Sequence, residues 1–196
     1  MLLRTEASEE SAFSIAARYS VVVTSRQTLP LLWLLSDARN DAGLGDALAA
    51  LPRGSGFVFR HYHLEENERR ERYAALASIA RDRSHTVLLS RASEWGEDGT
   101  YGAEPLSDGL WLATAHDGDE ISRAVREGAD GIFLSPVFPT ASHPGAAHLG
   151  VHGFHVLAQQ SPVPVIALGG MNYERARELD WPRWGAIDGL GSTKSA

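Results

Sequence analysis

The chain contains no cysteine, and this absence excludes several kinds of chemistry at once. Disulfides, catalytic thiolates, zinc–thiolate sites and iron–sulfur clusters all require cysteine. A secretory signal peptide is not expected, because the first residues lack an adequate apolar core. The apolar run at residues 29–35 is far too short to span a bilayer, which takes about 20 residues. These absences predict a cytoplasmic protein without a membrane segment.

Excess positive charge is also lacking, since the 196-residue chain carries a formal net charge of -7. The acidic balance argues against nucleic acid or an anionic membrane as the main partner. It remains compatible with a local basic pocket for a phosphate. With 43% hydrophobic residues, the composition fits one globular domain over residues 1–196.

Short apolar runs bounded by Gly or Pro alternate with helical patterns along the chain. The strand candidates are residues 31–36, 56–62, 86–90, 100–101, 110–115, 131–137, 163–168 and 184–190. Helices are expected at residues 46–51, 65–81 and 119–127, in one helix length between the sixth and seventh strands, and from an Asn172 cap to Leu179. Eight alternating strands and helices favour an α/β fold of the (β/α)8 TIM-barrel type. An open doubly wound sheet is the alternative.

The predicted barrel is shortened, because 196 residues is below the usual length of about 250. Little amphipathic sequence of helix length occurs at residues 91–110 or after Leu190. Reduced helices are therefore expected around strand four and after strand eight. Apolar barrel surface would be left open there, and a homodimer would cover it. Residues 1–28 form a lead-in with an extra strand or helix, and residues 19–24 are the strand candidate.

Parallel α/β folds place their chemistry beyond the carboxyl ends of the strands. His116 follows the fifth strand and can titrate near neutral pH, which makes it the leading catalytic candidate. The alternative is a surface histidine before a helix capped by Asp117. Arg60 ends the second strand and suits a phosphate through its forked donors, or else closes a salt bridge at the barrel mouth. His61 and His63 are interpreted as surface histidines rather than metal ligands.

Two further groups of residues follow later strands. A loop stiffened by three prolines carries hydroxyl and imidazole groups after the sixth strand, and its alternative role is an ordered connector. Its polar residues are Ser135, Thr140, Ser142 and His143. Glycine-rich turns follow strands seven and eight, where barrels often bind phosphate with backbone N–H groups. The phosphate candidates are Gly169, Gly170, Gly189 and Leu190.

The segments GADGIFLSPVFPTASHPGA and PVPVIALGGM resemble the thiamine-phosphate synthase and thiazole tautomerase family. The core of the resemblance covers residues 110–171, and a weaker part extends back to Leu31. The resemblance implies a (β/α)8 barrel. Synthase members join hydroxymethylpyrimidine pyrophosphate to thiazole phosphate and release pyrophosphate with Mg²⁺. Tautomerase members aromatise the thiazole phosphate with a histidine.

The resemblance also implies roles for individual residues. Arg60 falls on the pyrophosphate-binding arginine, and Thr114 with His116 on the Ser-x-His after strand five. Thr140 and Ser142 fall on hydroxyls that hold the pyrophosphate or the thiazole. Gly169, Gly170 and Gly189 fall on the thiazole-phosphate site.

Several positions depart from the family pattern. Val58 and Tyr62 stand at the Gln and Lys of the strand-two motif, and Ser90 and Arg91 at the Asn-Asp pair whose aspartate holds magnesium. Glu104 is the only carboxylate in the region of the second magnesium aspartate, and His143 replaces a lysine.

The sequence thus predicts a thiamine-biosynthesis transferase that acts on small phosphorylated thiazole and pyrimidine substrates. The alternatives are a tautomerase-like isomerase using His116 and a catalytically silent thiazole-phosphate-binding protein. No resident metal is expected, and Mg²⁺ would accompany only the synthase activity.

Overall fold

A computed structural model of the chain describes residues 29–91, 93–102, 109–140 and 145–190. The expected lead-in at residues 1–28 lies outside these ranges. The described chain forms a closed barrel of eight parallel strands in sequence order. The TIM-barrel prediction is therefore confirmed, and the open doubly wound sheet is excluded.

The strands are short and mostly buried, as expected for a parallel sheet covered by helices. They are β1 Leu32–Leu35, β2 Gly56–Phe59, β3 Thr86–Leu89, β4 Gly99–Tyr101, β5 Leu110–Ala115, β6 Gly131–Leu134, β7 Val165–Ala167 and β8 Trp184–Ala186. All eight predicted strands exist, but most end earlier than expected. β8 closes the barrel against β1, with Leu32 beside Trp184.

Helices cover the barrel where the sequence predicts them. They are α1 Leu44–Ala50, α2 Glu66–Asp82, α3 Gly118–Glu127, α4 Gly150–Ala158 and α5 Tyr173–Leu179. A short 3₁₀ turn, Asp41–Gly43, precedes α1 and was not anticipated. The described residues between β3 and β5, and those after β8, contain no helix. None of the helices in the described ranges combines the length and apolarity needed to cross a bilayer.

The barrel interior is filled by a cluster of buried side chains from alternate strand positions. Trp33 lies at the amino-terminal end of this cluster, where the Cβ position of Gly56 is only 2.1 Å from the indole. Only glycine leaves room for the tryptophan there. Leu29 closes the same end beside Gly131. Phe133 packs edge-on against Trp33, at 5.5 Å between ring centroids. We call this closed amino-terminal end the floor of the barrel.

Candidate functional site

The carboxyl ends of all eight strands point to one end of the barrel, which we call the mouth. Because every strand is parallel, the residues that follow the strands share this end. The structure places there the described candidates Arg60, Thr114, His116, Ser135, Thr140, Gly169, Gly170, Gly189 and Leu190. Ser142 and His143 lie outside the described residues.

Arg60 is held against the end of β1 by three hydrogen bonds. Its backbone N–H donates to Ser36 Oγ at 2.7 Å, and its Nε donates to the Ser36 carbonyl at 3.1 Å. Its Nη2 donates to Asp37 Oδ2 at 3.2 Å. The ion pair therefore joins neighbouring strand ends. The arginine is mostly buried, with 16% of its side chain exposed.

Tyr101 is a mouth residue that sequence reasoning missed. It ends β4, and its hydroxyl lies near the Arg60 guanidinium. Its ring packs edge-on against Phe133, at 5.1 Å between centroids. Burial raises the pKa of the Tyr101 phenol, so the group stays protonated near neutral pH. Its position inside the barrel follows from the strand alternation, but the three-residue β4 gives too weak a pattern to reveal it.

The ends of β1 and β8 are tied together by polar side chains. Arg39 donates to Asp37 at 2.9 Å and pairs with Asp188 at 3.4 Å. The hydrogen bond from Arg39 holds the pKa of the Asp37 carboxyl below its usual value. Asn40 donates to the carbonyls of Leu35 and Ile187, at 3.0 and 2.7 Å. This clamp fixes the turn after β8 relative to β1 and Arg60.

The two glycine turns converge. A Cβ on Gly189 would lie 2.2 Å from the carbonyl oxygen of Met171, one residue after Gly170. Gly169 and Gly170 have φ of +92° and +65°, which favour glycine. Within the described chain, their N–H groups donate to no backbone carbonyl. The turns therefore offer backbone donors at adjacent points of the mouth.

The proline loop after β6 lies against the first of these turns. Val137 N–H donates to the Leu168 carbonyl at 2.9 Å, and Phe138 N–H to the Gly169 carbonyl at 3.1 Å. Ser135 and Thr140 are partly exposed on this loop. The loop thus brings hydroxyl groups next to the glycine turns, in the part of it that the structure describes.

His116 is held by its own helix. Its ring Nδ1 lies 2.9 Å from Glu120 Oε2, which also accepts the His116 backbone N–H at 2.7 Å. Asp117 caps α3 by accepting from Glu120 N–H at 2.8 Å, as the sequence predicts. A carboxylate only accepts hydrogen bonds, so Nδ1 carries the proton and Nε2 of the neutral ring keeps its lone pair. The ring is 60% exposed, and Nε2 is chemically suited to act as a base.

His61 corrects the interpretation of the histidine pair as surface residues. Its side chain is fully buried, with Nε2 2.7 Å from Asp41 Oδ1, whereas His63 is exposed. β2 ends at Phe59, so strand alternation no longer governs these positions. Burial lowers the pKa of the His61 imidazole. Sequence spacing could not reveal this, because Asp41 is 20 positions away.

Two departures from the expected family pattern meet at the mouth. The Arg91 guanidinium lies over the Tyr62 ring, 5.2 Å from its centroid. This cation–π pair joins the ends of β2 and β3. The chain has a single lysine, Lys194, outside the described residues. The described cations of the mouth are therefore arginines.

Comparisons with known proteins agree with this architecture. Residues 104–180 match the family model described as thiamine monophosphate synthase. A putative thiamine-phosphate synthase 2 of Aquifex aeolicus is 39% identical over 64 residues, which cover 33% of this chain and 34% of that protein. A thiamine-phosphate synthase of Chloroflexus aurantiacus is 38% identical over 75 residues, which cover 38% of this chain and 35% of that protein. The chain thus matches about a third of the length of these curated relatives.

A solved structure shares the fold over most of the chain. The thiamine phosphate pyrophosphorylase of Pyrococcus furiosus superposes with a TM-score of 0.71 and 22% identity. The superposition covers 86% of this chain and 90% of that one. At this identity the likeness concerns the fold. With the family match and the curated relatives, the resemblance found in the sequence is confirmed, and residues 104–180 match the thiamine monophosphate synthase family.

Proposed function

We propose that the protein is a thiamine-phosphate-synthase-like transferase of thiamine biosynthesis. It would join hydroxymethylpyrimidine pyrophosphate to thiazole phosphate and release pyrophosphate. The observation that carries the proposal is the convergence of the Gly169–Gly170 turn with the Gly189 turn, within the segment clamped to β1 and Arg60. This arrangement offers backbone donors to one anion and a guanidinium to another.

Each candidate residue has a place in this proposal. The thiazole phosphate would accept hydrogen bonds from the backbone N–H groups of Gly169, Gly170, Gly189 and Leu190. The ring would extend toward Thr114, Ser135 and Thr140, with Ser142 and His143 from the rest of the loop. Arg60 would take the pyrophosphate, and His116 would be the group for proton transfer. Glycine is required at the turns because a β-carbon would hold the ligand away from the backbone.

The described residues do not fit a family-type magnesium site. Ser90 and Arg91 stand at the family's Asn-Asp pair, and the guanidinium of Arg91 repels a cation. The described chain contains no cluster of three or more His, Cys, Asp or Glu residues able to hold a metal ion. Pyrophosphate leaves with the electrons of the bond that breaks, so its developing charge needs a positive group. Arg60 and Arg91 are the described candidates for that role.

A thiazole tautomerase is the second candidate, and the geometry of His116 favours it. Glu120 fixes the proton on Nδ1, which leaves Nε2 to take a proton from a ring carbon. The loss of magnesium carboxylates does not affect this reaction, which releases no pyrophosphate.

One experiment separates these functions. The purified protein is incubated with both substrates, with and without Mg²⁺, and the products are identified by mass spectrometry. Pyrophosphate release with a coupled product supports the synthase. Aromatised thiazole without pyrophosphate supports the tautomerase instead. Binding of thiazole phosphate without either product supports a catalytically silent binding protein and contradicts both enzymes.

We propose a cytoplasmic location and a homodimer that covers the apolar surface beside β1 and β8. Leu31 and Tyr173 are exposed there, at 56% and 52%, around a groove of about 280 Å³. Small phosphorylated molecules would be the ligands, without nucleic acid or membrane as partner.

A further inference from the structure

A hydrogen-bond chain runs from α2 to Arg60 and is partly buried. Arg72 Nε donates to Asp41 Oδ1 at 2.8 Å, and the same oxygen lies 2.7 Å from His61 Nε2. His61 Nδ1 lies 2.8 Å from Ser36 Oγ. Ser36 Oγ in turn accepts the Arg60 backbone N–H at 2.7 Å. The side chains of Ser36 and His61 are fully buried.

In this hydrogen-bond chain, the donors and acceptors are determined by which groups carry a proton. The Asp41 carboxylate only accepts, so His61 Nε2 carries a proton. Burial lowers the pKa of His61, so the ring is neutral near pH 7 and its Nδ1 accepts. The Ser36 hydroxyl therefore donates to Nδ1 while its oxygen accepts from Arg60 N–H. The orientation of Ser36 is thus set by His61.

We propose that His61 is a positioning residue for Arg60, acting through Ser36. Ser36 accepts two hydrogen bonds from Arg60: its hydroxyl accepts from the backbone N–H, and its carbonyl accepts from Nε. An arginine ordered before the ligand arrives loses less side-chain entropy on binding. The inference rests on the proposed role of Arg60 in binding pyrophosphate.

Two other roles for the buried histidine fit the geometry less well. A serine–histidine–aspartate series suggests a nucleophile, but Ser36 has no exposed surface, so no substrate reaches its oxygen. An apolar ring would fill the same space without burying polar nitrogen atoms. Phe59 already stacks on His61 at 4.6 Å between centroids. The two hydrogen bonds of the imidazole explain why a polar ring is buried here.

Two amide substitutions test the two hydrogen bonds of His61 separately. In His61→Asn, the amide oxygen stands near the position of Nδ1 and keeps an acceptor for Ser36. In His61→Gln, the amide nitrogen reaches the position of Nε2 and keeps a donor for Asp41, but Ser36 loses its acceptor. Ser36→Ala removes the hydroxyl that joins His61 to the Arg60 N–H and keeps the carbonyl that accepts from Nε. His63→Asn is the matched control, since His63 is exposed two positions away.

The first measurement uses the ligand-free protein. The ¹⁵N relaxation of the Arg60 Nε–H group, assigned by its loss in Arg60→Lys, reports the order of the guanidinium. We expect a rigid signal in the wild type, in His63→Asn and in His61→Asn. It should become more mobile in His61→Gln and in Ser36→Ala, because Ser36 then holds the Arg60 backbone less firmly, although its carbonyl still accepts from Nε. A rigid signal in both of these folded variants overturns the inference, whatever the protein binds.

The second measurement is calorimetric titration with inorganic pyrophosphate. We expect His61→Gln and Ser36→Ala to weaken binding by about 5- to 10-fold, the effect of one lost hydrogen bond. His61→Asn and His63→Asn should stay within about 2-fold of the wild type. Equal losses in His61→Asn and His61→Gln would show that the ring only fills space. If the wild type does not bind pyrophosphate, the proposed role of Arg60 fails, and the relaxation data alone decide the positioning of the arginine.

Discussion

Replacement of Gly169 by alanine tests the fit between the first glycine turn and the proline loop. Gly169 has φ of +92°, and its Cβ position lies 2.6 Å from Pro136 Cα and 2.7 Å from Pro136 Cβ. Gly128, which ends α3 at the floor end of the barrel, has φ of +94° with no atom within 4 Å of its Cβ position. Gly128→Ala is therefore a control with the same backbone angle and no clash.

The expected losses follow from two costs. A left-handed backbone costs an alanine about 1–2 kcal/mol, and both variants bear this cost. Gly169→Ala adds the overpacking of a methyl group against Pro136, about 1–3 kcal/mol. Gly169→Ala should therefore be less stable than Gly128→Ala by about 1–3 kcal/mol, which lowers Tm by a further ~2–12 °C.

Urea unfolding of both variants measures this difference directly. Inorganic phosphate titrated into each folded variant provides the second comparison. Phosphate binding should weaken in Gly169→Ala and stay unchanged in Gly128→Ala, which lies at the opposite end of the barrel. Equal stability losses in the two variants would refute the steric argument. Equal phosphate affinities would refute the placement of the anion at this turn.

Further predictions concern the mouth and the buried histidines. His116→Ala should lower turnover by on the order of 10²-fold with binding nearly kept, and a wild-type rate would remove its catalytic role. Gly170→Val should weaken phosphate binding, as calorimetry would show. Calorimetry should also find no tight Mg²⁺ binding without pyrophosphate, and Arg91→Asp should increase the Mg²⁺ affinity. Burial lowers the pKa of His61 and of His85, so the unfolded chain takes up protons first as pH falls below about 6.5. Unfolding free energy should therefore fall between that pH and the folded-state pKa values, by at most about 1.4 kcal/mol per pH unit for each histidine, and a flat profile would contradict their burial.

The fold was predictable because strand-forming runs and helix caps are local signals. β5 and the Asn172 cap of α5 were found at their observed positions. The end of β2 was placed three residues too late, at Tyr62 instead of Phe59. The N–H of Arg60 donates to the Ser36 side chain, 24 positions away, and no local pattern reveals such a contact.

The site was predictable in its general position and less so in its contacts. Strand ends and glycine turns pointed to the mouth, since parallel strands share one end. The partners of the candidate residues could not be deduced in the same way. Asp41 contacts His61, and Tyr101 comes near Arg60, only after the barrel closes. Such contacts depend on tertiary packing between side chains that are distant in the sequence.

The filled floor of the barrel has a consequence for the order of events at the mouth. In the described chain, Trp33 and Leu29 close the opposite end, so ligands reach the site through the mouth. A molecule bound deep against Tyr101 must enter before one bound above it. It must also leave after that one. Two substrates stacked along the barrel axis would then show ordered kinetics, with the deep product, which leaves last, inhibiting competitively against the substrate that enters first.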